Sequence, residues 1–211
     1  MYDLHIHSEY SDGSGSIDSI VRKAKEADLK AIAIVDHSIE HPLGLTRSKA
    51  KKRHYEIQQA SSKYDIDVIE GIECGIQAGG KIIMPEFNFE LVLVSIHDPV
   101  SMDEYYRRIE LCLKNYNIDV LAHFHSTVFD AYDGRDYERD EEILELLVDN
   151  HICLELNTAH YAPPFSVLEK CTDKNIRYSI GSDSHSLKRI ADVEWGFKMA
   201  KKFLKNGEFI L

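Results

Sequence analysis

His5 and His7 stand two residues apart in the run Tyr2-Asp3-Leu4-His5-Ile6-His7. Alternate residues of a strand project from the same face, so this pair can grip one ion or two adjacent ions. Taken alone, such a pair reads as two ordinary polar residues at an edge. The residues that follow reverse that weighting. Asp12 lies in Ser11-Asp12-Gly13, a turn-forming tripeptide able to fold a carboxylate back over the end of the strand. His37 closes a second apolar run, Glu73 a third, His97 a fourth and His123 a fifth. Asp183 and His185 form another alternate-residue pair near the last such run. Groups of this kind are costly to bury unless they are paired or coordinated. These nine donors, His5, His7, Asp12, His37, Glu73, His97, His123, Asp183 and His185, are too many for one ion. Imidazole mixed with carboxylate suits zinc, manganese or iron rather than soft thiolate chemistry.

The elements that must carry these donors repeat along the chain. Apolar runs of strand length start near Tyr2, Ala31, Val68, Leu91, Val120, Ile152 and Arg177, and each ends in a polar cluster. Near-continuous Val, Ile and Leu runs are expected of parallel strands covered on both faces. Helical periods lie between them. Ser16 precedes Ile17, Ile20, Val21, Ala24 and Ala27 at one-face spacing. Ser101 with Glu104, and Ser166 with Glu169, read as capping-box pairs. Ile143, Leu146 and Leu147 form a stripe within 140–150, and 193–204 closes the chain in the same way. Strands alternating with helices allow an open doubly wound sheet or a barrel. Ligands delivered at nearly every strand end favour the barrel, because only a closed sheet brings all those ends around one mouth. The expected fold is therefore α/β, a distorted TIM-like (β/α)7 barrel, with residues 1–211 forming a single domain.

Bulk properties bound the function. A 44% hydrophobic and 29% charged composition is ordinary for a soluble globular chain. No apolar run approaches the ~20 residues needed to span a bilayer, and no basic-then-apolar leader precedes the first motif. A cytoplasmic protein without membrane association is expected. Cys74, Cys112, Cys153 and Cys171 are widely spaced and interrupt apolar stretches, as buried reduced thiols do. The formal net charge of -11 argues against a stable nucleic-acid complex. It does not argue against a site for one phosphate, since a metal cluster makes its own surroundings positive.

From His5-Ile6-His7 and Ser11-Asp12-Gly13, through Val35-Asp36-His37 and Gly71-Ile72-Glu73, to Gly181-Ser182-Asp183-Ser184-His185, the chain resembles the PHP (polymerase and histidinol phosphatase) superfamily. The resemblance spans essentially the whole sequence. It implies a metal-dependent phosphoesterase with two or three divalent ions (Mn, Zn or Fe) at the C-terminal mouth of the barrel, held by the nine residues named above. Asp12, where some members place a histidine, resembles the branch acting on small nucleotides and nucleoside phosphates. The expected substrate is a small phosphorylated molecule such as a nucleotide, an oligonucleotide end or another phosphomonoester. A histidinol-phosphatase-like monoesterase is the alternative, although those members tend to be longer.

Three divalent ions against Asp12, Glu73 and Asp183 would leave the filled site at about +3, which draws a phosphate ester. A water acidified by the metals would then attack phosphorus in line. His125, two residues past His123, is a candidate to protonate the leaving group. Asn157 and His160 are weaker candidates for substrate contacts, and Glu155 for a carboxylate supporting a ligand. The basic stretch Arg47, Lys49, Lys51, Lys52 and Arg53 reads as the solvated face of a helix, and Tyr105 and Tyr106 as helix packing. His41, His54 and His151 read as surface histidines.

Two rival classes fit less well. An amidohydrolase-type C–N hydrolase also opens with two alternate histidines. It usually bridges its metals from the fourth strand with a carboxylated lysine or a glutamate and ends in a lone aspartate, whereas His97 and the Asp183/His185 pair stand at those places here. A scaffold derived from the same barrel would have lost its ligands, and all nine positions are filled.

Overall fold

Glu73 reaches the site because its strand alternates between two environments. Ile72 and Cys74 face the outer helices, while Gly71, Glu73 and Gly75 face inward. The same alternation recurs around the sheet in this computed structural model, which describes residues 1–126 and 135–211. Ala33 and Val35 line the interior against Ile32 and Ile34 outside, and Leu91 and Leu93 line it against Val94 and Ile96. The interior is therefore apolar at its base, with Leu4, Val120 and Cys153 in the same cluster, and polar at its mouth.

The strands are β1 (Tyr2–Ile6), β2 (Ala31–Ile34), β3 (Asp67–Gly75), β4 (Leu91–Ser95), β5 (Val120–Leu121), β6 (Cys153–Asn157), β7 (Arg177–Gly181) and β8 (Glu208–Phe209). All pair in parallel, each with the next in chain order. Helices α1 (Ile17–Glu26), α2 (Arg47–Tyr64), α3 (Met102–Asn115), α4 (Tyr137–Asp149), α5 (Phe165–Lys170) and α6 (Glu194–Phe203) lie between strands, in the order expected of an α/β domain. The sheet is curled so that β1 returns to β7. His7 N–H donates to the Ser184 carbonyl at 2.9 Å, and Ser184 N–H to the His5 carbonyl at 3.2 Å. This architecture is consistent with a distorted TIM-like barrel. It has one strand more than the seven expected: β8 pairs with the start of β7, Arg177 opposite Glu208. Two residues are too few to carry a hydrophobic period, so β8 leaves no sequence signal.

Asp3 ties the closing seam. It is fully buried, and its two oxygens accept from Ser182 N–H at 2.9 Å and Ala191 N–H at 3.0 Å. Burial nevertheless outweighs these bonds and pushes its carboxyl up to about 6.

Local signals explain most helix starts. Ser16, Thr46 and Ser101 each accept a backbone N–H three residues on, and Asp136 accepts those of Glu138 and Arg139. The Ser101 box is only half formed, because the Glu104 carboxylate is taken by Arg107 and Arg108. The Ser166/Glu169 box does not form. Helix α5 begins at Phe165 after Pro164, which places Ser166 inside it, where its hydroxyl accepts from Arg135 at 2.7 Å. Proline preset that start better than the serine did. All four cysteines are buried and free, and burial pushes the thiols of Cys112, Cys153 and Cys171 up to about 12. Among the described residues no helix is long and apolar enough to cross a membrane.

Candidate metal centre

The β1–β2 register shifts between Asp3 and Ile6, a local bulge that re-aims the strand end. His5 and His7 both turn into the mouth there, with their Nε2 atoms 3.0 Å apart. The same end of the curled sheet brings the other expected ligands alongside, in three overlapping groups. His7, Asp12, His37 and His185 form one, His5, His7 and Asp183 a second, and His37, Glu73 and His97 a third. Within each group the ligand atoms lie inside 4.8 Å of one another. His123 joins the third group through Nε2, 3.0 Å from Glu73 Oε1. Asp12 Oδ2 stands 3.5 Å from His37 Nε2 and 3.3 Å from His185 Nε2, while Asp183 Oδ1 stands 3.4 Å from His7 Nε2. All nine expected donors thus share one mouth.

Strained backbone marks the same place. His123, His125 and Asp183 have φ of 30°, 54° and 52°, in the left-handed region that side-chain-bearing residues seldom adopt. Close packing adds a requirement at Gly181, where a Cβ would lie 2.3 Å from His5 Cβ and 2.7 Å from Glu155 Oε1. Only glycine leaves room there for the His5–Glu155 contact.

The residues beneath the donors hold them in place. Glu155 Oε1 is 2.6 Å from His5 Nδ1, and its other oxygen accepts from His123 N–H at 2.8 Å and the Asn157 amide at 3.0 Å. A carboxylate on the far nitrogen of a ligand histidine fixes its tautomer and ring orientation. Asn157 also donates to Asp183 Oδ2 at 3.1 Å and accepts from His160 N–H. The His160 ring lies 3.0 Å from that same Asp183 oxygen. Asp36 was not among the expected site residues. It is buried, accepts from Ser8 N–H and from the hydroxyls of Ser8 and Ser11, and so shapes the loop that presents Asp12. Its counterion is Arg53, at 2.8 Å. The solvated-face reading of 47–53 fails at Arg53, which is fully buried and also donates to the Gly71 carbonyl. The signal was present, since Ala50, Arg53, Ile57 and Ala60 follow helical spacing on the buried face of α2.

His125 does not face the cluster in the described structure. Its Nε2 lies 2.6 Å from Asp140 Oδ1, its N–H donates to the Tyr105 hydroxyl, and its ring packs on Phe124 and Tyr105. The left-handed turn at His125 drives the ring between α3 and α4 instead of into the mouth. His41, read as a surface residue, stacks on His37 with ring centroids 4.6 Å apart. His54 sits 2.6 Å from Glu70 Oε2 on the outer side of β3.

Neighbouring charges oppose burial across the cluster. Burial disfavours the charged forms of Glu73 and Asp183, yet His97 and His37 beside the first, and His5 beside the second, hold both well below the usual carboxylate range. Burial would depress His5, but Glu155 and Asp183 raise it well above the ordinary imidazole value. His37 is raised to about 10 against its own burial by Glu73 and Asp12. His7 moves the other way, lowered by burial and by its charged histidine neighbours. Its Nδ1 is buried and has no hydrogen-bond partner. An orphaned imidazole nitrogen near a carboxylate, in a mouth whose donors among the described residues are imidazoles and carboxylates, fits a divalent-ion site.

The PHP domain family model matches residues 3–185. The chain belongs to the PHP family. This PHP chain is 27% identical, over 95% of its length, to the DNA polymerase/3'-5' exonuclease PolX of Bacillus subtilis, but it spans only 37% of that protein. It is 24% identical to a protein of Caldicellulosiruptor saccharolyticus named "Probable phosphatase", covering 98% of this chain and 87% of that one. Among solved structures, histidinol phosphate phosphatase from Lactococcus lactis, complexed with zinc, L-histidinol and phosphate, superposes with a TM-score of 0.68 at 20% identity, covering 98% and 95% of the two chains. At that identity the likeness speaks for the fold alone.

Proposed function

We propose that residues 1–211 form a single PHP domain, a distorted TIM-like barrel, that hydrolyses a small phosphate ester, with two or three divalent ions held by His5, His7, Asp12, His37, Glu73, His97, His123, Asp183 and His185. The observation that carries this reading is the overlap of three histidine–carboxylate groups at one mouth, sharing His7 and His37. Ions held by groups that share residues would lie close together, an arrangement suited to gripping one phosphoryl group. The ions are manganese, zinc or iron, the metals that this mixture of nitrogen and oxygen donors suits.

Bound ions supply Lewis acidity, lowering the pKa of water and offsetting the charge of the phosphate. The chain's own groups do the positioning. Glu155 orients His5, Glu73 spans His37, His97 and His123, and Asp36 holds the loop that carries Asp12. Asn157 acts on Asp183 and Glu155 rather than on substrate, since both ends of its amide are engaged within the protein. His160 lies beside Asp183 and His123, and in this reading it meets the phosphate or its leaving oxygen. The substrate is a nucleotide, an oligonucleotide end or a small phosphomonoester in the cytoplasm. The PolX and phosphatase relatives support that range, and the histidinol phosphate phosphatase fold keeps an amino-alcohol phosphate within it.

The test pairs elemental analysis with phosphomonoesters, phosphodiesters and nucleotides assayed with added Mn or Zn. Two or more equivalents of metal and release of phosphate or nucleotide are expected. Full activity in His7→Ala or Asp183→Ala would sink the site assignment. Turnover of a cyclic amide with no ester hydrolysed would move the chain to the amidohydrolase class.

A further inference from the structure

Helix α2 opens with Arg47 and Lys49 in its first turn and with no acidic residue there. The start of a helix is the positive end of its dipole, so cations in that turn are disfavoured. Lys49 has a use that offsets this. Its Nζ, half-buried, donates to three backbone carbonyls, those of Leu43 at 2.7 Å, Tyr10 at 3.0 Å and Gly44 at 3.2 Å. An ammonium has three protons, so these contacts engage all of them. Lys49 is therefore not a solvated charge free to steer a phosphate, unlike the exposed Lys51 and Lys52 of the same run.

The three carbonyls belong to two loops. Tyr10 lies in the loop after β1, two residues before Asp12, whereas Leu43 and Gly44 lie in the loop after β2, which carries His37. Asp12 and His37 are members of one candidate ligand group, with Asp12 Oδ2 3.5 Å from His37 Nε2. The path from Lys49 to each is short. On the His37 side, the Gly44–Leu45 peptide is held at both ends, its oxygen by Lys49 and its N–H by the His37 carbonyl at 2.8 Å. Gly44 permits this turn, because a Cβ there would overlap the Ser38 carbonyl oxygen. On the Asp12 side, the Tyr10 N–H donates to the Ser8 hydroxyl, which itself donates to Asp36. Arg53, one turn further along α2, holds that same Asp36, so a single helix grips the Asp12 loop twice.

We propose that Lys49 is a positioning residue for the metal centre: by bridging the loops after β1 and β2 it sets the separation of Asp12 and His37, and with it the affinity of the site they form. The inference rests on the metal-centre reading above and adds a residue outside the ligand set. Charge alone would act in the opposite sense. A cation near the site repels a divalent ion, so removing it for electrostatic reasons only would tighten metal binding.

The sign of the effect makes the test. Lys49→Met removes the three donors and keeps most of the side chain's length. In titration calorimetry with Mn, its Kd should rise by about 10-fold or more, the scale of losing a support behind a metal ligand. Half-saturating Mn for hydrolysis of p-nitrophenyl phosphate should rise in step, while kcat at saturating Mn changes little. Lys51→Met makes the same change of charge on the same helix and should leave Kd where it is. An unchanged or lowered Kd in Lys49→Met, or an equal rise in Lys51→Met, overturns the proposal. A second measurement needs no variant to fold. Linkage is reciprocal, so bound Mn must in turn tighten the Lys49 contacts. Acetylation of wild-type Lys49 by acetic anhydride, followed on peptides by mass spectrometry, should slow when Mn is added, with Lys51 as the unaffected reference. Equal rates at Lys49 with and without Mn overturn the proposal as well. Failure of the wild-type protein to bind Mn or Zn at all overturns the metal-centre reading itself.

Discussion

Glu155 Oε1 lies 2.6 Å from His5 Nδ1, both residues buried, so the His5 nitrogen that faces the site is set by a carboxylate on β6, reaching across β7. The contact depends on Gly181, whose hydrogen leaves space that any side chain would fill.

Glu155→Gln keeps the shape and removes the charge. Half-saturating Mn or Zn for phosphatase activity should rise by ~10–100-fold, with activity recovering at high metal. An unchanged metal requirement would show that the pair does not support the ligand.

Metal binding should release protons and strengthen with pH. His5, His37 and His185 are raised in the metal-free protein, so they carry protons that ligation must displace. For folding, a raised histidine contributes stability that is complete below about pH 6.5 and is lost as pH climbs through its folded value, about 10 for His37. The lowered carboxylates Glu73 and Asp183 contribute stability that is present above about pH 4.5 and lost as pH falls below it. The chelated protein should therefore melt highest between about pH 5 and 6.5. Differential scanning calorimetry of chelated and reloaded protein checks the window, and buffer-dependent titration calorimetry counts the protons.

Arg53→Met strands the buried Asp36 charge. Breaking one side of such a pair costs ~3–5 kcal/mol, read as a fall in denaturation midpoint. Adding Asp36→Asn should recover part of that loss. Metal affinity should recover in part as well, because an asparagine Oδ1 can still accept from the Ser8 N–H and the Ser11 hydroxyl that shape the Asp12 loop. A single variant as stable as the wild type would contradict the burial of the pair.

His125→Ala separates packing from catalysis. Its ring lies against Asp140, Phe124 and Tyr105, so the variant should lose ~1–3 kcal/mol of stability while keeping its metal content and most of its kcat. A kcat loss of several orders of magnitude without a stability change would return His125 to the leaving group.

The donor set and the order of strands and helices were legible because each is a local pattern. The alternate spacing of His5 and His7, the apolar runs ending at His37 and His97, and the Ser16 and Ser101 caps are written within a few residues. The Ser166 cap misled because a serine–glutamate spacing occurs without a helix start, and the neighbouring Pro164 set the boundary instead. Strand β8 escaped notice because two residues carry no period.

Composition and spacing by themselves determined that this chain carries more metal donors than one ion needs and delivers them at successive strand ends. Only the tertiary structure decided where each side chain points. His123 and His125 have the same spacing as His5 and His7, yet one turns to Glu73 and the other to Asp140. Asp36 and Arg53, seventeen positions apart, become one buried pair. These outcomes depend on backbone turns and on partners from distant strands, and a one-dimensional pattern holds neither.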